Sequence, residues 1–171
     1  MADERKVVVI GGGAAGMMAA GTAGSRGLKV FLVEKNNRLG KKLLITGKGR
    51  CNITNNTDVE GLIENVPVNG SFLYSAFYTF SNTDLMNFFR EYGLELKVER
   101  GGRVFPLSDK AEDVVKTLEK YLRRNNVNLI KGEAVEVIAE QGRVNGVRLK
   151  DGRTIYCDSV IIATGGASYP A

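Results

Sequence analysis

Apolar residues occur along this chain in short runs that end in glycines or charged residues. Residues 7–10 form an unbroken apolar run, which is typical of a strand buried on both faces of a parallel sheet. Glycines follow, and then small residues over positions 14–25, which indicate a closely packed helix. Residues 30–33 form a second apolar strand, and residues 159–163 form a last one that we also expect to be buried. The pattern therefore predicts a β-α-β beginning and a buried strand near the end.

The middle of the chain carries two stretches in which aromatic and aliphatic residues recur at helical spacing. These stretches, 73–80 and 85–92, predict two short helices, with a cap at residues 81–84 between them and an end at Gly93. We expect both aromatic stripes to pack in a core or a domain interface, because platforms that stack bases carry basic residues between the rings. The preceding stretch, 35–55, has no clear period and is predicted to be a ligand-binding loop.

A hairpin, a helix and four strands are predicted next. The hairpin turns at residues 100–102 and ends at Pro106, and Asp109 with Glu112 is expected to cap the helix that follows. The apolar face of this helix consists of Val114, Val115, Leu118, Tyr121 and Leu122. A short strand at residues 127–130 follows the helix. Three antiparallel strands then form a β-meander over residues 134–139, 144–149 and 154–157.

The order strand, helix, strand, long insertion, helix, strand, meander, strand is the layout of flavoprotein FAD domains. The predicted fold class is therefore α/β: a Rossmann-like FAD-binding domain of the glutathione-reductase type, with a parallel sheet and a β-meander crossover. The final strand should pair beside the first. The turns at residues 11–16 and 164–166 should then flank the topological switch point, where open α/β sheets bind ligands.

The candidate chemistry begins with a G-x-G-x-x-G spacing directly after the first strand. Gly11 is expected to make the tight turn, Gly13 to let the backbone approach a pyrophosphate, and Gly16 to let the helix lie close to the strand. Glu34 follows 18 residues after Gly16, where a carboxylate accepts hydrogen bonds from an adenosine ribose and disfavours a 2′-phosphate. The alternative is a glycine-rich β-α-β unit with a solvated Glu34. Dinucleotide binding is the working hypothesis, and the meander with the A-T-G-G turn favours FAD over NAD.

The absence of certain residue types argues against several other classes of protein. The 171 residues contain no histidine, so His-dependent catalytic triads and His-ligated metals are missing, and no metal site is expected. Cys51 and Cys157 form no C-x-x-C pair, which argues against a flavin-linked disulfide and a zinc site. Gly47-Lys48 is followed by Gly49 rather than Ser or Thr, so the Walker pattern fails.

Charge and hydropathy set expectations about partners and location. The net charge is +5, but the basic residues form only short clusters, so we expect a solvated surface with some residues drawn toward an anionic cofactor, and no nucleic-acid partner. No segment approaches the apolar length of a membrane span, and no membrane partner is expected. The first six residues run straight into a strand without a signal peptide, which predicts a cytoplasmic location.

Three segments resemble one bacterial family, the BaiN-like or aminoacetone-oxidase-like NAD(P)/FAD-dependent oxidoreductases. They are residues 9–16, 38–52 and 163–170. The stretch T-G-K-G-R-C-N-I-T-N at residues 46–55 is the most specific part of the resemblance. Residues 103–106 and 108–111 fit the family as well. The resemblance spans essentially the whole chain.

By position, the resemblance implies an FAD site whose residues fall into several groups. The pyrophosphate would be held by Gly11, Gly13, Ala14, Ala15 and Gly16. The ribose and the neighbouring phosphates would be contacted by Glu34, Lys35 and Lys42. The flavin end would be approached by Thr46, Gly47, Cys51 and Asn52. The backbone of Val135 would contact the adenine edge, and the opposite side would be closed by Ala163, Thr164 and Gly165.

Two of these assignments have simpler alternatives. Cys51 could be a small buried residue without chemistry, which we favour over a redox role. The Lys41-Lys42 pair could be merely solvated.

The resemblance also implies an activity. The resemblance implies hydride transfer through the flavin on a small-molecule substrate, with NAD(P)H as a candidate electron donor or oxygen completing the cycle. No residue here qualifies as a catalytic acid or base. Family members run on past position 171. Residues 1–171 are thus expected to be the N-terminal portion of a single FAD-binding domain, without the substrate domain and the C-terminal return, and to hold FAD weakly. The alternatives are a non-catalytic flavin- or dinucleotide-binding module and an RNA-modifying flavoprotein.

Overall fold

A computed structural model describes residues 5–166. The chain divides into two compact units: the sheet unit, residues 1–42 and 118–171, and the middle unit, residues 43–117. In chain order the strands are β1 (Lys6–Ile10), β2 (Lys29–Glu34), β3 (Thr54–Asn55), β4 (Leu96–Val98), β5 (Arg103–Pro106), β6 (Asn128–Lys131), β7 (Ala134–Glu140), β8 (Arg143–Leu149), β9 (Thr154–Tyr156) and β10 (Ser159–Ile162). The helices are α1 (Ala14–Ser25), α2 (Lys41–Ile45), α3 (Val59–Glu64), α4 (Tyr74–Thr79), α5 (Asn82–Glu91) and α6 (Ala111–Arg124).

The sheet unit is built on a four-stranded parallel sheet with the order β10-β1-β2-β6. At its centre Val9 of β1 pairs with Leu32 of β2 on one side and with Ile161 of β10 on the other. Val9 and Leu32 are fully buried, as expected for central strands covered on both faces. The chain steps from β1 to β2 to β6 and then returns to the other side of β1, which makes the β1–β10 boundary the topological switch point.

The predicted β-meander is confirmed. Strands β7, β8 and β9 form an antiparallel sheet in that order. Gln141 and Gly142, at the first turn, both have positive φ (49° and 76°), as a tight type I′ hairpin requires. Val147 and Leu149 of β8 are buried in one cluster with Val8 of the parallel sheet, so the meander takes the place of a covering crossover helix.

The last strand differs from its prediction. β10 pairs with β1 as expected, but it is not buried: Ile161 is 37% exposed and Ile162 is 69% exposed. Within residues 5–166, β10 is an edge strand, so its outer side has no neighbouring strand. A short apolar run looks the same in sequence at an edge and at a centre, which explains the error.

The middle unit contains a small antiparallel sheet, β3-β5-β4, and three short helices. The predicted cap before α5 is present as a capping box, in which the Ser81 hydroxyl accepts from the Asp84 amide and the Asp84 carboxylate accepts from the Ser81 amide. The second aromatic stripe is packed as predicted, with Phe89 buried. The first is not in a core, because Phe80 is 42% exposed and Leu73 and Phe77 are only half-buried.

Two further expectations about the middle of the chain are wrong. The stretch 35–55 contains helix α2 and a 3-10 turn at Thr46–Gly49 instead of irregular loop throughout. Asp109 was expected to cap α6, but its carboxylate binds Lys97 and Arg50. The predicted apolar face of α6 is buried. Among residues 5–166 we find no helix with both the length and the apolar character needed to cross a membrane.

Candidate functional site

The glycine-rich turn between β1 and α1 lies against the end of β10. Gly11 donates its N–H to the carbonyl of Val33 on β2 (2.8 Å) and adopts φ +106°, which favours glycine. A Cβ at Gly11 would lie 2.5 Å from the carbonyl oxygen of Ala163. The ends of β1, β2 and β10 thus meet at this turn.

Gly16 and Gly13 are glycines for different reasons. A Cβ at Gly16 would lie 1.8 Å from the Gly11 carbonyl oxygen, so the close approach of α1 to the turn requires glycine there. A Cβ at Gly13 would meet no atom within 4 Å, although Gly13 lies between the turn and the helix. Packing inside the protein therefore does not require a glycine at position 13, and the space beside this residue is open.

The N-terminus of α1 is suited to an anion. Gly13 is its N-cap and provides no side-chain hydrogen bond, and the first turn contains no acidic residue. The N–H groups of Ala14, Ala15 and Gly16 have no acceptor within the helix, whose first bond runs from Met17 to Gly13 (2.9 Å). Ala14 and Ala15 are exposed. The helix dipole adds partial positive charge at the same place.

Glu34, at the end of β2, is held by three donors. Its Oε2 accepts from the Gly12 N–H (2.7 Å), and its Oε1 accepts from both the main-chain N–H and the side-chain amide of Asn36 (2.7 and 2.6 Å). The carboxylate therefore lies directly beside the glycine-rich turn, as the 18-residue spacing predicts.

A cleft of about 230 Å³ opens at the carboxyl ends of the parallel strands. Its lining includes Gly11, Glu34, Lys35, Asn36, Ala134 and Thr164. The β7–β8 register shifts between Ala134 and Glu136, which places Val135 at a β-bulge next to the cleft. The regular strand ladder is interrupted there, and Val135 is 55% exposed.

The basic residues predicted near the phosphates are exposed. Lys35 lines the cleft, and its charge contributes to a lowered pKa of Glu133, although the main cause is the hydrogen bond from Lys150 (3.0 Å). Lys42 lies on α2 and is exposed, as is Lys41. Gly165 adopts φ +80° and is exposed after β10.

The four residues predicted at the flavin end lie in the middle unit, at and after a turn with unusual backbone. Gly47, Lys48 and Cys51 have φ between 55° and 61°. Thr46 donates its hydroxyl to the carbonyl of Leu43 (2.7 Å), and Cys51 donates its N–H to the carbonyl of Thr46 (3.1 Å). The acceptors around Asn52 determine which way its side-chain amide faces. In that orientation its NH2 group donates to the carbonyls of Thr54 and Val104.

Cys51 is a free thiol that is 1% exposed, and burial raises its pKa. The thiol is therefore protonated at neutral pH. The part of the chain that the structure describes holds no group of His, Cys, Asp or Glu suited to a metal ion.

Sequence reasoning missed a cluster that clamps this turn. The Arg50 guanidinium lies 4.0 Å from the centre of the Phe105 ring and binds Glu99 (2.9 Å) and Asp109 (3.1 Å). Lys97 also binds Asp109. Hydrogen bonds from Arg50 and Lys97, respectively, are the largest causes of the lowered pKa values of Glu99 and Asp109. The partners are 49 and 59 residues from Arg50 in sequence, so no local pattern could have revealed them.

The sheet unit thus brings the glycine-rich turn, Glu34 and Thr164 together at the carboxyl ends of the parallel strands. Ligands bind at the carboxyl ends of such strands, where the strand order reverses. The meander in place of a second crossover helix matches the layout that the sequence predicts for an FAD domain. The class is the FAD-binding Rossmann domain of flavoprotein oxidoreductases.

Within that class, the chain belongs to the HI0933-like family. The family model described as the HI0933-like protein Rossmann domain matches residues 5–171. This confirms the bacterial flavoprotein resemblance predicted from the sequence motifs.

Two curated relatives are similar over nearly the whole chain. The 3-dehydro-bile acid delta(4,6)-reductase of Clostridium scindens is 37% identical over 164 residues, which cover 94% of this chain and 39% of the relative. The ribosomal RNA dihydrouridine synthase of Escherichia coli is 32% identical over 165 residues, which cover 95% of this chain and 40% of the relative. The chain spans about two fifths of the length of these relatives.

Solved structures support the fold. The crystal structure of THI4 from Thermovibrio ammonificans matches with a TM-score of 0.66 and 17% identity, over 95% of this chain and 57% of that one. At this identity the match concerns the fold alone.

Proposed function

We propose that this chain binds FAD through its ADP half and belongs to an enzyme that reduces an organic substrate. The observation that carries the proposal is the open space at Gly13, in front of a helix N-terminus without a side-chain cap and beside a fixed carboxylate. A glycine that packing does not require fits a position where a phosphate must approach the backbone.

Three groups of residues in the sheet unit would hold the ADP half. The N–H groups of Ala14, Ala15 and Gly16 bind the pyrophosphate, and Glu34 accepts from a ribose hydroxyl. The bulged main chain at Val135 contacts the adenine edge. Bound FAD would supply the hydride chemistry through its isoalloxazine ring, and this chain would hold the ADP half of the cofactor.

The reaction class is supported by the printed names of both relatives. One is a reductase and the other makes a dihydro derivative of uridine, so each name describes the addition of hydrogen. We accordingly propose reduction of an unsaturated organic substrate, with NAD(P)H as the electron donor.

The first experiment measures FAD binding by quenching of flavin fluorescence. We expect wild-type chain to bind FAD, and Glu34→Gln to bind about tenfold more weakly because it loses a charged acceptor. Glu91→Gln, an exposed carboxylate on α5, is the matched control and should bind as wild type does. Equal affinity of all three proteins, or no binding by wild type, would contradict the proposal.

Loss of the visible flavin band after addition of NADH or NADPH to the loaded full-length protein separates an enzyme from a non-catalytic module.

RNA is a second candidate substrate. The E. coli relative is named for ribosomal RNA, and residues 35–57 of this chain contain six Lys or Arg residues and no Asp or Glu. If these residues bind RNA phosphates, the logarithm of the binding constant should fall steeply and linearly with the logarithm of the salt concentration. Fluorescence anisotropy with a labelled single-stranded RNA tests this, and an affinity that is insensitive to salt would exclude the phosphate contacts.

A further inference from the structure

The orientation of the Glu34 carboxylate depends on a neighbour that the glycine motif does not include. Asn36 lies two residues after Glu34, is half-buried, and lines the same cleft. Its main-chain N–H and its side-chain amide both donate to Oε1 of Glu34, at 2.7 and 2.6 Å. Oε2 is left to the N–H of Gly12 (2.7 Å).

A carboxylate offers about four acceptor positions, two on each oxygen. Asn36 takes both positions on Oε1, and Gly12 takes one on Oε2. The remaining position is therefore on Oε2, the oxygen that also contacts the glycine-rich turn. We propose that Asn36 is a positioning residue that fixes Glu34 so that Oε2 receives one hydroxyl of an unphosphorylated adenosine ribose. The proposal rests on the proposed FAD site.

The residue type suits this task. An amide donates without carrying charge, so Glu34 keeps the negative charge that rejects a 2′-phosphate. A Lys or Arg at position 36 would neutralise the carboxylate, and an Asp would repel it. The main-chain donor is available to any residue except proline, so the side-chain amide is the part that the sequence specifies.

Gly12 links this carboxylate to the phosphate end of the site. Its N–H is bound by Glu34, and its carbonyl accepts from the N–H of Gly40 (2.8 Å). A purely structural role for Asn36 in holding the turn would therefore affect every ligand that touches the turn. A positioning role affects only ligands that carry the ribose hydroxyl.

The test compares Asn36→Ala with the wild-type chain by calorimetric titration with ADP, 2′-deoxy-ADP, 3′-deoxy-ADP and inorganic pyrophosphate. We expect Asn36→Ala to bind ADP about tenfold more weakly, the size of one hydrogen bond to a charged group. The loss should vanish for at least one deoxy ligand and for pyrophosphate. Asn37→Ala, an exposed neighbour of the same type, is the matched control and should bind all four ligands as wild type does.

The possible failures are distinct. Equal losses for ADP, both deoxy ligands and pyrophosphate, or an unchanged affinity for ADP, would overturn the role of Asn36 and leave the FAD site standing. Absence of ADP binding by the wild-type chain would overturn both. Thermal unfolding of the variants without ligand identifies a loss that comes from an unfolded chain, and Asn36→Ser, which retains a donor of shorter reach, provides a second variant in that case.

Discussion

At the scale of single residues, Gly13 and Gly16 belong to one motif but should respond oppositely to substitution. Gly16→Ala would place a Cβ 1.8 Å from the Gly11 carbonyl oxygen and should cost about 1–3 kcal/mol of unfolding free energy through overpacking. Gly13→Ala meets open space and should cost less than about 1 kcal/mol, yet weaken FAD binding about tenfold or more by obstructing the phosphate. Urea unfolding and FAD titration of both variants measure the two effects.

The two variants control each other. A Gly13→Ala protein that is as unstable as Gly16→Ala would show that the space at Gly13 closes in solution. A stable Gly13→Ala protein with unchanged FAD affinity would show that no phosphate of FAD lies against Gly13.

The two cysteines should be slow to react in the folded chain. Cys51 and Cys157 are both buried free thiols, and burial raises both pKa values, so little thiolate forms near neutral pH. We expect alkylation by iodoacetamide at pH 8 to be at least about tenfold slower than in urea-unfolded chain. Mass spectrometry resolves the two sites, and rapid labelling of Cys51 in the folded chain would instead indicate a reactive thiol.

At the scale of elements, the turn at residues 46–52 should depend on Arg50. Its guanidinium joins two carboxylates and an aromatic ring that lie far apart in sequence, and several residues of the turn adopt left-handed backbone that needs external support. Arg50→Met should lower the thermal midpoint by a few degrees at neutral pH. Arg90→Met, in the same unit, bonds Asn87 on its own helix and is the control that should unfold as wild type does.

The part of the Arg50 stabilisation that comes from Glu99 and Asp109 should be lost in acid. The pKa values of Glu99 and Asp109 are lowered in the folded chain, so their contribution is complete above the ordinary carboxyl pKa values near 4. It is lost as the pH falls through the lowered values, because the protonated carboxyls no longer attract Arg50. Midpoints of wild type and Arg50→Met measured from pH 7 downward should draw closer as the pH falls. A constant difference would assign the effect to stacking on Phe105 alone.

Elements with a strong local signal were predictable, and elements set by distant contacts were not. The meander followed from alternation and from turn pairs such as Asp151-Gly152, and β1 followed from its apolar run. The exposure of β10 depends on which strand lies beside it, and helix α2 lies in a stretch with no helical period. The exposure of β10 and the formation of α2 both depend on residues that are distant in sequence and close only in the fold.

The candidate site divides in the same way. Gly11, Gly13, Gly16 and Glu34 could be proposed from the sequence because their spacing is imposed by a local β-α-β geometry. Asn36 could not be singled out from the sequence although it lies only two residues after Glu34, since an asparagine in a polar loop has no distinctive pattern. Only the hydrogen bonds to Oε1 reveal its role.

At the scale of the whole molecule, charge is distributed unevenly along the chain. Residues 35–57 contain six basic residues and no acidic one, whereas residues 51–89 contain no Lys or Arg and four Asp or Glu residues. The net charge of +5 is thus concentrated outside residues 51–89, and part of it lies beside the proposed phosphate site. Such a distribution raises the rate at which anionic ligands encounter the site and makes that rate sensitive to salt.

The exposed edge of the parallel sheet should govern self-association. Within residues 5–166, β10 presents unpaired main-chain groups on its outer side, and its Ile162 is 69% exposed. Apolar edge strands pair with other copies unless a charge interrupts them. We expect the wild-type chain to associate with rising concentration, and Ile162→Lys to shift it toward monomer while the unfolding free energy changes by less than about 0.5 kcal/mol. Sedimentation velocity over a concentration series measures the association.

Val68→Lys provides the contrast for this prediction, because Val68 is 74% exposed in the middle unit and lies outside every strand. Both lysines remove one exposed apolar side chain and add one positive charge, so they differ only in place. If Val68→Lys dissociates the chain as well as Ile162→Lys does, general surface hydrophobicity or net charge is responsible. If Ile162→Lys alone does so, the main-chain edge of β10 is the contact, since only there does a charge interrupt strand pairing.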